Sequence, residues 1–188
     1  MTTRRITGPV ELAVSLVLAK DTLRIAQSNT ALDAAITLCL QSITQECEHQ
    51  IGRALINQQW RVSVDWFTDS IRLDHPPIVS VQSVKFYDEN GEIQTLDPAD
   101  YYVDSVTEPG YVIPAGGRSW PATQDRVHAV AVDYTAGYGP TEASVPACAK
   151  QYILYRLAEQ FDPATGEFAK TSRSEYADRL LDPLKVYQ

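Results

Sequence analysis

The chain has 188 residues, 44% hydrophobic and 21% charged, enough for one globular domain or for one core with a subdomain attached. Its 24 acidic and 16 basic side chains leave a formal charge of -8, which disfavours non-specific adhesion to nucleic acid or anionic membrane but still allows a protein that surrounds DNA without gripping it. Cys39, Cys47 and Cys148 are too few for a disulfide framework, no run nears the roughly 20 apolar residues that span a bilayer, and Val10 to Ala19 lacks the features of a signal peptide, so a soluble, unexported product with three buried thiols is expected.

Pro9 opens a first short helix, with Val10, Val14, Val17 and Leu18 on one side and Lys20 and Arg24 at its carbonyl end, where cations suit the dipole. Gln27 to Thr30 reads as a loop carrying an N-cap. A second helix is expected over about 31–51, because Leu32, Ile36, Cys39, Ile43, Cys47 and Ile51 recur at helical spacing, and Gly52 ends it.

After Gly52 the period changes to two. Trp60, Val62, Val64 and Trp66 alternate with polar residues, the pattern of a strand with one dry face and both tryptophans in the core. Ile71 and Leu73 mark a short strand, His75-Pro76-Pro77 a break, and Ile78 to Tyr87 a longer strand running into the hairpin turn Asp88-Glu89-Asn90-Gly91. Ile93 to Leu96 is the returning strand. Tyr101 to Val103, Tyr111 to Ile113 and Val127 to Tyr134 follow, the last ending at Gly137-Tyr138-Gly139-Pro140.

A third helix places Val145, Ala149, Ile153, Leu157 and Phe161 four apart, widened by Cys148, Tyr152 and Tyr155, and Asp162-Pro163 stops it. Ser172-Arg173-Ser174-Glu175 matches a capping box before a short helix with Tyr176, Leu180 and Leu181. The fold class expected is α+β, with N-terminal helices and a long C-terminal helix packed together, and with a central, mostly antiparallel β subdomain of about six short strands. The expected divisions are 1–56 helical, 57–139 β, 140–170 the long helix, and 171–188 a short helix and tail.

Convergent chemistry is sparse. Glu46-Cys47-Glu48-His49 is the tightest set of metal-ligand types, yet helical neighbours point to different sides, and only Cys47 falls on the apolar stripe, so a solvated helix end is expected. His75 reads as a turn residue and His128 as an outward strand residue. Cys148, His128 and Asp133 supply the ingredients of a nucleophilic triad without any motif that assembles them. Gly116-Gly117-Arg118-Ser119 and Gly137-Tyr138-Gly139 lack the lysine, spacing and context of phosphate loops, and Asp65, Asp69 and Asp74, or Asp97, Asp100 and Asp104, lack EF-hand spacing. No catalytic, cofactor or metal residue is assigned, and a scaffold or interaction protein is expected rather than an enzyme.

Gly52-Arg53-Ala54-Leu55-Ile56-Asn57-Gln58-Gln59-Trp60 resembles the helix-to-strand passage of the head-tail connector, or adaptor, proteins of tailed bacteriophages and gene-transfer particles. Ile71-Arg72-Leu73, Pro76-Pro77-Ile78, Ser80 to Val84, Ser119-Trp120-Pro121 and Tyr134-Thr135-Ala136-Gly137-Tyr138-Gly139 continue that resemblance over residues 10–161. The resemblance implies a structural virion protein of the neck, assembled in the host bacterial cytoplasm, without cofactor. It implies a homo-oligomeric ring of about twelve copies under the portal protein. Such a ring extends the channel through which genomic DNA passes without sequence-specific binding, and carries the next neck protein, a stopper or tail-completion protein. No membrane partner is expected. Cyclic symmetry requires two different complementary faces on each copy, which the helices are expected to supply. Portal docking is expected from Phe168, Tyr176, Leu180, Leu181, Val186 and Tyr187, apolar anchors on a tail with too few residues for a core of its own. The alternative reading is a β-rich carbohydrate- or protein-binding module of a virion or cell surface, which leaves the long helix on either side without a role.

Overall fold

The computed structural model describes residues 1–162, 164, 167–168 and 175–186. The chain forms two compact units, one of Met1–Pro9 with Asn57–Gly137, the other of Val10–Ile56 with Tyr138–Gln188. The architecture is α+β, with antiparallel strands in the first unit and the described helices of four residues or more in the second.

In the first unit, β1 (Thr2–Thr7), β2 (Gln58–Val64), β3 (Ile71–Leu73), β4 (Ile78–Tyr87), β5 (Ile93–Thr95), β6 (Tyr101–Asp104), β7 (Gly110–Pro114) and β8 (Val130–Ala136) make two sheets. The larger has the order β1-β2-β8-β4-β5 and the smaller β3-β7-β6. β8 lies at the centre because it alternates without interruption: Val130, Val132, Tyr134 and Ala136 are all 0% exposed. Val62, Val132 and Val84 stand directly across three strands, a dry row of the branched residues that suit a pleated surface. The fully buried Tyr134 keeps its hydroxyl satisfied by donating to the Asp74 carbonyl at 3.0 Å. Gly110 is required by close approach, since a Cβ there would stand 2.7 Å from Ile78 Cγ1.

The opposite face of the same row is polar. Arg61 on β2 clasps Asp133 on β8 through Nε at 2.5 Å and Nη2 at 2.7 Å. This bond holds the Asp133 carboxyl below its ordinary 3.8 despite partial burial, with smaller help from Lys85 and Ser83. A carboxyl lowered in the folded state contributes stability that is fully present above its unfolded pKa and lost as pH falls through the folded one. Asp133→Asn is therefore expected to flatten the loss of β-unit stability below about pH 4, measured by urea unfolding at stepped pH.

The second unit holds α1 (Leu16–Thr22), α2 (Asp33–Ile51), α3 (Ala147–Gln160), the two-residue strands β9 (Phe161–Asp162) and β10 (Glu167–Phe168), and α4 (Glu175–Arg179). Ile36, Leu40, Ile43, Cys47 and Ile51 from α2 share one core with Ala149, Tyr152, Ile153 and Leu157 from α3 and Ala177 from α4. Gly52 stops α2 at φ 69°, a backbone conformation costly for a residue with a Cβ. Lys20 on α1 is 2% exposed, and its ammonium donates to Gln27 O, Asn29 O and Asp33 Oδ1 at 3.0, 2.7 and 2.8 Å.

Several expectations change. β1 is a strand that periodicity could not signal, because as an edge it is exposed on nearly every residue. The first helix starts at Leu16, where Ser15 accepts from Leu18 N, and not at Pro9; Val10 is 94% exposed. The β unit carries eight strands rather than about six, three of them in a separate small sheet. Trp66 is 64% exposed instead of buried, because β2 ends at Val64 and the alternation ends with it, while Trp60 stacks on His75 with ring centroids 3.8 Å apart. Ser172, Arg173 and Ser174 of the capping box lie outside the described residues.

Candidate functional site

The residue types that could carry chemistry are occupied by structure. Within the quartet on α2, Glu48 is buried, correcting the solvated helix end: its side chain turns back to accept from Leu55 N at 2.8 Å and so ties down the chain after Gly52. Glu46 faces Arg156 at 3.8 Å. Cys47 is 0% exposed, and burial, reinforced by the neighbouring glutamates and Cys148, drives its thiol pKa up; burial raises Cys39 to about 11. Both thiols are thus held protonated and unreactive at neutral pH. Among the described residues no group of three or more His, Cys, Asp or Glu could hold a metal ion. No helix of the described residues is long and apolar enough to cross a membrane.

Two of the triad ingredients have other partners. Asp133 is held by Arg61, and His128 sits at φ 58° just before β8, its backbone N–H donating to Asp65 Oδ1 at 2.8 Å. The glycines at 116 and 117 belong to a turn in which Arg118 N donates to Ala115 O at 2.9 Å, with the Arg118 side chain paired to Asp100. Asp97 and Asp104 likewise cap their own turns, accepting from Ala99 N at 2.9 Å and from Val106 N and Thr107 N at 3.0 Å.

What remains is surface. On the helical unit, Leu18 and Thr22 of α1 and Lys150, Leu154, Tyr155 and Ala158 of α3 border a shallow, mainly apolar groove of about 430 Å³. Tyr155 meets Tyr176 of α4 edge to face, with centroids 5.9 Å apart, and Tyr176 is 58% exposed. Sequence reading took Tyr155 only as widening a core stripe. The signal for a surface was there in the width itself, since Leu154, Tyr155 and Ala158 extend the apolar face beyond the line through Ala149, Ile153 and Leu157.

The six C-terminal anchors have different fates. Leu181 is fully buried in the helical core and Leu180 packs against it, which corrects the premise of a tail without a core: the segment borrows the core of α2 and α3. Val186 is half-buried, its N–H donating to Ile51 O at 3.0 Å, and Arg53 Nε donates to Leu184 O at 2.6 Å, so residues 184–186 are tied to the end of α2. Phe168 pairs with Phe161 in the β9–β10 ladder. Tyr187 lies outside the described residues. Tyr176 is a large side chain left 58% exposed.

No family model matches the chain, and no curated protein matches it. Solved structures do. A chain in the neck of an empty gene transfer agent (GTA) particle, computed with C6 symmetry, is similar with a TM-score of 0.80 at 18% identity, over 100% of this chain and 97% of that one. A chain in the virion of the native GTA particle gives 0.80 at 20% identity, and one in the neck of the native particle, computed with C12 symmetry, gives 0.72 at 18%, with the same coverage. The β unit and the helical unit together therefore have the fold of these neck and virion chains.

Proposed function

We propose that this chain is a head-tail connector: a structural protein of a virion neck, with no catalytic role. Its copies form a ring under the portal protein, extend the DNA channel, and offer an attachment surface to the next neck or tail protein. The observation that carries this reading is fold similarity over the whole chain to proteins of GTA necks, at a TM-score of 0.80 and with 97% of the neck chain covered. Likeness of a single unit would point to a shared module; likeness through both points to a shared part in an assembly. The necks were computed with C6 and C12 symmetry, which favours a cyclic arrangement for this chain too.

Charge supports the same role. Seven basic against twelve acidic residues give the β unit -5, and nine against twelve give the helical unit -3. A ring multiplies this charge by its copy number, and an acidic wall lets a polyanion slide without holding it. Portal docking belongs to the exposed part of the C-terminal segment, centred on Tyr176 where it meets Tyr155. The test is electron microscopy of the purified chain mixed with the portal protein of the same particle. Rings coaxial with the portal are the expected result, and their failure to form in its presence would overturn the reading.

A further inference from the structure

The larger sheet ends in two free edges. At one, Arg4, Arg5, Ile6 and Thr7 of β1 are all exposed, and at the other Ile93, Gln94 and Thr95 of β5 are all exposed. Asp88 N donates to Glu92 O at 2.9 Å and Leu96 N to Val84 O at 2.8 Å, so Glu92 and Leu96 turn their backbone groups toward β4. By the alternation of an antiparallel ladder, Ile93 and Thr95 turn theirs outward. Such an open row of donors and acceptors is a template for another strand. Each edge also leaves an isoleucine in water, Ile6 at 46% and Ile93 at 62% exposed.

The two edges carry opposite charge. Residues 1–10 contain Arg4 and Arg5 and no acid, whereas Asp88, Glu89, Glu92 and Asp97 flank β5 with no lysine or arginine from 86 to 98. Three pairings of identical copies are open to such a sheet. β1 on β1 sets arginines against arginines, β5 on β5 sets carboxylates against carboxylates, and β1 on β5 brings opposite charges together. The third is head-to-tail, and a head-to-tail contact between identical copies is heterologous, the kind that closes into rings rather than dimers.

We infer that neighbouring copies join edge to edge, β5 of one copy receiving β1 of the next, so that the sheet continues across each seam of the ring. The inference rests on the ring reading and moves part of the seam from the helices to the sheet. β1 and β5 point the same way, because each of the steps between them in the sheet is antiparallel. A β1 added to β5 in that same sense makes each junction a parallel pair.

Two double variants test the seam, Arg4→Glu with Arg5→Glu, and Glu89→Lys with Glu92→Lys. Asp88 and Asp97 are left in place because they hold the hairpin turn and the turn at Pro98. The first sets like charges at every seam and the second cancels the acidic edge and sets two lysines against the arginines, and each is expected to need about tenfold more protein to assemble, read by sedimentation velocity, with circular dichroism checking the fold. Mixing the two, or combining all four changes in one chain, restores opposite charges and is expected to restore assembly. Arg5 also donates to Gln58 Oε1 at 3.3 Å, so Arg4→Glu alone serves as a second variant free of that contact, with a smaller loss expected. If both double variants form rings on the portal as readily as the unaltered chain, the seam is wrong and the ring reading stands. If the unaltered chain forms no ring, free or on the portal, both fall, and a dimer as its end point overturns the seam as well.

Discussion

Lys20→Met is expected to lower the stability of the helical unit by about 3 kcal/mol. The methionine keeps the apolar stem but removes a charge whose three donors are all in use, on Gln27 O, Asn29 O and Asp33 Oδ1. The two carbonyls lose a buried donor, and Asp33, in the first turn of α2, loses a partner at 2.8 Å. Asp33 is partly exposed and can take up water, which keeps the loss from being larger. Asp33→Asn, which retains an accepting oxygen, is expected to cost about 1 kcal/mol. Denaturant unfolding followed by helical circular dichroism measures both, and equal effects from the two substitutions would refute this account of Lys20.

Leu181→Ala is expected to cost about 3 kcal/mol, because a fully buried leucine leaves a cavity that the residues around it fill only in part. Tyr176→Ser, five residues earlier in the same segment, is expected to cost about 1 kcal/mol or less, since it gives up one edge-to-face contact and little burial. Portal binding reverses the order. The serine variant, still folded, is expected to lose about tenfold in portal capture, as an exposed aromatic anchor would. The alanine variant is expected to bind normally at temperatures where it stays folded. Thermal melts paired with portal pull-down separate the two roles, and normal capture by the Tyr176→Ser variant would remove the docking surface from this segment.

Legibility in sequence followed the depth of burial. The line Ile36, Ile43, Cys47 and Ile51 was readable because a helix seated on a core repeats its apolar face every three or four residues. β8 was readable because it buries alternate positions along its whole length, and β4 because Val84 and Phe86 do so ahead of its turn. β1 escaped because its burial alternates nowhere, and it is a strand only because β2 offers it a partner. Trp66 was misplaced by extending a period past the end of its strand, and Glu48 by giving a carboxylate to solvent when the chain after α2 needed an acceptor. The apolar anchors of the C-terminal segment were visible one by one, but not which of them α2 and α3 would absorb.

Composition, periodicity and turn chemistry were enough to determine the α+β class, the long helices, the stop at Gly52, the hairpin at Asp88 to Gly91, and the absence of any motif that gathers catalytic groups. These are local properties, written within a few turns or one strand of the residues concerned. Only the tertiary structure decided that the first nine residues complete a sheet made mostly of residues after 57, that Lys20 is a buried tie rather than a surface cation, that Leu181 belongs to the core while Tyr176 remains outside, and that the sheet ends in edges of opposite charge. Each depends on contacts between residues far apart in the chain, where the free energy of burial and pairing outweighs any preference that a residue carries alone.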